Sequence, residues 1–200
     1  MYAASFTLNS VVKINTQNWS IIDEMLAANN GHINGIDAGM AISDDGYLYL
    51  PGYKSNNIIK LNLESKAVTE VVAAGTAGLL TPRTILLRDQ ELVVTAERGN
   101  AIMVFDVVTG EFKQTLVQVG GPTGLKKDGD AHFIVNTPDA VFRVTNDGSA
   151  FEKIVQNGAG DLAGGTFVYR LQKKGLDHDD DGLSNEDEVD VHGTDPENPD

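Results

Sequence analysis

The residues best placed to do chemistry lie in one acidic stretch, residues 177–188, which reads Asp-His-Asp-Asp-Asp-Gly-Leu-Ser-Asn-Glu-Asp-Glu. Asp177, Asp179 and Asp181 alternate along it, Gly182 follows at the sixth position, and Glu188 closes it at the twelfth. A hard divalent cation gathers several oxygens, and alternate side chains of a tight turn point at a common centre. Gly182 permits the sharp bend, after which the carbonyl of Leu183 can turn inward as a ligand, and Glu188 can close the shell with both carboxylate oxygens. Asn185, at the ninth position, could contribute through a water. The spacing therefore predicts one Ca²⁺ held by Asp177, Asp179, Asp181, Leu183 and Glu188.

This is the pattern of an EF-hand-type loop. The competing explanation is a solvated acidic tail, the usual fate of a charge run. A plain tail would account for the charge but not for the spacing or the glycine. Charge is in fact concentrated here: residues 176–200 hold 11 of the 29 Asp and Glu and none of the 15 Lys and Arg. Residues 1–175 are close to neutral, with 18 acidic against 15 basic side chains. The division suggests a body joined to a functionally separate tail that repels itself until a cation neutralises it.

Composition excludes several classes. No basic stripe is available to neutralise phosphates, so nucleic acid is not an expected partner. Cysteine is absent, which removes disulfides and thiolate zinc sites. No apolar run reaches the roughly 18 residues of a membrane span. The opening residues lack the basic start and apolar core of a signal peptide.

The body repeats itself. Residues 10–16, 57–63, 101–107 and 140–146 share one apolar and polar alternation, each followed by a second β-rich run. Taking Val11, Ile58, Ile102 and Val141 as equivalent gives spacings of 47, 44 and 39 residues. Such a period is close to the roughly 40–45 residues of a four-stranded propeller blade. Turn residues punctuate the strands at residues 44–46, 109–110, 127–129 and 146–148, and Pro82 and Pro122 open the third and fourth units. A helix-like stretch at residues 21–28 aligns with the outer strands of the other copies. The expected fold is therefore all-β: a partial β-propeller of about four antiparallel units over residues 1–172, followed by the acidic calcium loop in residues 173–200. One more strand is expected at residues 164–172.

Residues 92–110 read much like the units of bacterial NHL-like or YVTN-like β-propellers, and the body resembles that family over residues 1–172. Residues 177–188 with residues 193–200, Gly-Thr-Asp-Pro-Glu-Asn-Pro-Asp, resemble the thrombospondin type 3 repeats of bacterial secreted proteins. The resemblance implies an exported or cell-surface protein. The first copy lacks an innermost strand, and the chain stops where the family pattern would begin another calcium loop, so a piece of a longer protein is expected.

An enzyme is the weaker expectation. His178 and His192 lie in the tail, and His132 opens a strand of the fourth unit. His32, in an Asn- and Gly-rich loop, is the histidine kept as a site candidate, without partners in the order of a Ser-His-Asp set. Propeller lactonases hold a metal with Glu, Asn and Asp in the central channel; their motifs do not match here, though Asp37 and Asn100 are available. Gly158, Gly160 and Ala163 form a GxGxxA string that is followed by β-type sequence, which fails the test for a nucleotide fold. The expected function is a calcium-binding exported or surface protein, in which a propeller scaffold binds a protein, small-molecule or glycan ligand and the tail is a calcium-stiffened spacer. The alternative is a propeller lactonase or lyase with the tail as a linker.

Overall fold

The structure, a computed structural model, describes residues 1–155. Within them the chain forms a three-stranded and three four-stranded antiparallel sheets, each running in chain order. The first contains β1 (Tyr2–Ser5), β2 (Ser10–Ile14) and β3 (Ile21–Leu26). The second contains β4 (Ala41–Ile42), β5 (Tyr47–Gly52), β6 (Asn57–Asn62) and β7 (Val68–Val72). The third is β8 (Pro82–Arg88), β9 (Glu91–Ala96), β10 (Ala101–Asp106) and β11 (Phe112–Gln118). The fourth is β12 (Gly124–Asp128), β13 (His132–Asn136), β14 (Val141–Thr145) and β15 (Phe151–Val155). The helix-like stretch at residues 21–28 is indeed an outer strand, β3, and the first unit lacks an innermost one. The fourth-unit turn falls later than expected, because Lys127 and Asp128 remain paired with Phe133 and His132. The strand expected at residues 164–172 and the GxGxxA string lie outside the described residues.

Register confirms the equivalence of the four units. A β-bulge follows Val11, Ile58, Ile102 and Val141 in turn, each paired across the outer hairpin with Leu26, Val72, Val117 and Val155. One extra residue on each outer strand sharpens its twist at the same depth in every sheet.

Period-two alternation sorts the apolar residues into three cores, one between each pair of consecutive sheets. On β10, Ala101, Met103 and Phe105 face the second sheet, while Ile102 and Val104 face the fourth. On β5, Leu48 and Leu50 face the first sheet and Tyr49 the third. Strands covered on both faces read as near-continuous apolar runs, which is why Val93, Val94, Val104 and Phe105 are fully buried. The innermost segments touch each other directly: Gly39 bridges Thr84 in parallel, and Thr84 Oγ1 donates to Thr123 O at 2.8 Å. A side chain at Gly39 would sit 2.4 Å from the backbone of residues 83 and 84, so only glycine permits this approach.

Candidate ligand-binding face

Four-residue turns join β1 to β2, β5 to β6 and β9 to β10, the second and third strand positions of a full unit: residues 6–9, 53–56 and 97–100. Each ends in an asparagine with left-handed backbone, Asn9 (φ 58°), Asn56 (φ 56°) and Asn100 (φ 51°). Asparagine tolerates this region because its short polar side chain can bond locally. Here each side chain instead reaches the segment entering the next sheet. Asn9 Oδ1 accepts from Gly35 N at 2.6 Å, Asn56 Oδ1 from Thr81 N at 2.7 Å, and Asn100 Oδ1 from Gly121 N at 3.1 Å. The three asparagines staple successive units together. Asn100, a candidate channel amide on sequence grounds, is thus engaged in the scaffold. In the fourth unit the turn, residues 137–140, is equally long but ends in Ala140 instead of asparagine, with Thr137 N donating to Ala140 O around a Pro138-Asp139 tip.

Three residues before each staple asparagine stand Phe6, Tyr53 and Glu97. With Arg83, the first residue after Pro82 at the entry to β8, they form a connected cluster. Arg83 Nε donates to Asp37 Oδ2 at 2.8 Å, and Nη1 lies 3.5 Å from Glu97 Oε1. The guanidinium lies 5.6 Å from the Tyr53 ring centroid, within cation–π range. Phe6 packs against Tyr53 with centroids 5.8 Å apart and carries Lys54 over its other side at 5.0 Å. Burial, then the Glu97 charge and a hydrogen bond to Glu97, push the Tyr53 phenol above its usual pKa, so it stays protonated at neutral pH. Glu97 Oε2 is itself buried and has no hydrogen-bond partner among the described residues.

The arrangement holds one guanidinium between two carboxylates and one aromatic ring. Arg83 and Asp37 are largely buried, with side chains 21% and 11% exposed, so their separation would strand a charge. Around this hub the same turns present Phe6 and Leu8, 40% and 53% exposed, and Leu80 lies exposed on the segment leading into β8. Lys54 and Arg98 add positive charge. The face combines aromatic and aliphatic side chains with positive charge around a paired guanidinium.

Of the sequence candidates, Asp37 lies in the hub. His32 is exposed; its backbone carbonyl accepts from Asn57 Nδ2 at 3.0 Å and its N–H donates to Asn30 Oδ1. His132 opens β13, paired with Asp128 and Thr145. His32, Asp37 and Asn100 do not form one chemical constellation. Asp177, Asp179, Asp181, Leu183 and Glu188 lie outside the described residues, as do His178 and His192. Among the described residues no group of three His, Asp or Glu side chains is placed to share a metal, and no helix is long and apolar enough to cross a membrane. The sequence did not single out Arg83, Tyr53 or Glu97; the three-residue offset from Asn56 and Asn100 was the available signal for Tyr53 and Glu97.

No family model and no curated protein matches the sequence. Solved structures do. A chain of a nidogen/laminin complex superposes with a TM-score of 0.63 at 14% identity, over 78% of this chain and 61% of that one. A catalytically inactive virginiamycin B lyase from Staphylococcus aureus with quinupristin gives a TM-score of 0.61 at 16% identity, over 80% and 56%. A selenomethionine-substituted virginiamycin B lyase from the same organism gives 0.55 at 17% identity, over 76% and 53%. The chain thus spans little more than half the length of these structures. At such identities the likeness is one of fold: this is an all-β chain with the β-propeller architecture.

Proposed function

We propose that the body is a propeller binding module that engages a protein, small-molecule or glycan ligand through the face built by Phe6, Tyr53 and Arg83. The observation that carries this reading is the hub itself. An exposed Phe6 against a half-buried Tyr53, and an arginine pre-positioned by Asp37 and Glu97, are of the side-chain types that are enriched at interfaces. Fixing them before contact lowers the ordering cost of association.

The same proposal makes the tail a calcium-stiffened spacer of the thrombospondin type 3 kind, in an exported or surface protein. Its support is the donor chemistry of the loop: Asp177, Asp179, Asp181 and Glu188 supply hard oxygens, and Leu183 a carbonyl. Extracellular modules of this kind bind Ca²⁺ at about 10⁻⁴–10⁻³ M, which suits a structural role where calcium is plentiful.

Two experiments test the halves separately. Arrays of extracellular proteins and of glycans are probed with the chain and with a Phe6→Ala/Tyr53→Ala pair; a ligand lost by the folded variant supports the reading. A ligand retained by that variant, or turnover of lactone or cyclic ester substrates by the chain, sinks it in favour of the enzyme alternative. Calcium calorimetry of the full chain is expected to give a saturable heat that Asp181→Ala abolishes. No heat with the unaltered chain would reduce the loop to a solvated tail.

A further inference from the structure

The opposite end of the second and third sheets, where the first-to-second and third-to-fourth strand turns lie, carries a cavity of about 550 Å³. That volume falls within the roughly 300–1,000 Å³ of small-ligand pockets. Its walls include Leu87 and Val107, which pack against the core shared by the two sheets. Three carboxylates line it, Asp44 and Asp45 from the β4–β5 turn and Asp89 from the β8–β9 turn. Several other acids at this end are ion-paired: Glu91 with Arg88 and Lys113, Asp106 with Lys113, and Asp128 with Arg143. Asp44, Asp45 and Asp89 make no ion pair or side-chain hydrogen bond among the described residues.

Tyr49 supplies an independent observation. It is only 4% exposed, lines the cavity, and its hydroxyl has no hydrogen-bond partner among the described residues. Its oxygen is not sealed in the core, because the fully enclosed unpartnered atoms are Glu97 Oε2 and Asn146 Oδ1 alone among the described residues. It therefore opens onto the cavity, where an incoming donor can satisfy it. Burial, then the Asp45 charge, raise its pKa, which keeps the neutral phenol available as an acceptor or donor. A single cation is already present: Lys60 lies over the Tyr47 ring, 5.1 Å from its centroid. Apolar walls, an aromatic ring that accepts an ammonium, a floor hydroxyl without a partner and excess negative charge are complementary to one kind of guest.

We propose that this cavity binds an aliphatic ammonium or guanidinium group on an apolar stem, with Asp44, Asp45 and Asp89 drawing the cation and Tyr49 receiving it. The chemistry is shared by a free alkylamine and by a lysine or arginine side chain of a partner. The site is distinct from the Arg83 face and does not depend on that face's function.

The test is an amide NMR titration of the full chain with n-butylammonium, with N-acetyl-lysine methylamide, and with the neutral N-acetyl-norleucine methylamide. Saturable shifts at residues 42–49 and 87–90 are expected for both cations, with Kd on the order of 1 mM, as suits so few heavy atoms. Asp45→Asn should weaken binding by about threefold to tenfold, the scale of one partly exposed charge contact. Lys60→Met, which removes the resident cation, should tighten it by a similar factor. Tyr49→Phe should weaken it while leaving the fold intact. A lysine derivative that binds tenfold better than butylammonium assigns the site to a partner side chain; equal affinities assign it to free amines. The proposal is overturned if the norleucine derivative binds as well as the cations, if shifts spread over the acidic surface without saturating, or if Lys60→Met leaves affinity unchanged.

Discussion

The two ends of the same sheets handle charge in opposite ways. At the asparagine-staple end, Asp37, Arg83 and Glu97 are engaged with one another, and the other charges of the asparagine turns, Lys54 and Arg98, are positive. At the other end, between the second and third sheets, Asp44, Asp45 and Asp89 surround a cavity without ion pairs among the described residues. One end has its polar groups arranged in advance of any partner; the other leaves like charges facing a space that a guest can fill. The propeller permits this because all the second-to-third strand turns emerge at one end and the remaining hairpin turns at the other. Each set can then vary while the strands and cores between them stay constant.

Removing the hub should have the largest effect. Arg83→Ala leaves Asp37 buried without its guanidinium and is expected to cost about 3 kcal/mol in denaturant unfolding. A loss below about 0.5 kcal/mol, the scale of an exposed pair, would mean that the two ends do not differ in kind. Asn56→Ala should come next, at about 2 kcal/mol, because it strands the Thr81 N–H and places a left-handed backbone on alanine. Its effect on hydrogen exchange should centre on Thr81, between the second and third sheets, rather than spread through β6.

Acid sharpens the comparison within the cavity end. Asp106 accepts from the N–H groups of Thr109 and Val108, which hold its pKa at about 2 against an ordinary 3.8. Its folded pKa is depressed, so its contribution is complete above about pH 4 and fades as pH falls through 2. Asn15 and Asn62 occupy the same turn position in the first and second units and accept similar backbone bonds. Asp106→Asn should therefore keep the turn but flatten the stability profile between about pH 4 and 2. The smallest effect belongs to the cavity acids. Asp44→Asn or Asp45→Asn should shift stability by no more than about 0.5 kcal/mol, in the stabilising direction, since no partner is lost and a like charge is removed.

Much of the fold was legible because the repeat signal lies in strands whose alternation is dictated by two flanking cores. Val11, Ile58, Ile102 and Val141 could be aligned from sequence, and the bulge that follows each of them shows the alignment to be structural. The innermost strands were harder to read, since β4 is two residues long and gains its place from the contact of Gly39 with Thr84 rather than from a hydrophobic run. Among site residues, Asp37 was legible only as an available carboxylate. Arg83, 46 residues further on, becomes its partner through the packing of successive sheets, which no local pattern encodes. Asn100 shows the converse: an amide that looked free is fixed by a bond to Gly121 across a unit boundary. The tail's chemistry is legible in its spacing alone, and its test is the calcium titration above.

The contrast between the two ends is tested most directly by amide relaxation with matched cationic and anionic paramagnetic co-solutes, at ionic strength low enough that screening acts beyond about 10 Å. The account predicts that the cationic probe dominates at residues 44–46 and 89–90, while at residues 53–55 and 97–99 the anionic probe is at least as effective. Equal ratios at the two ends, or a cationic excess around Arg83, would contradict it.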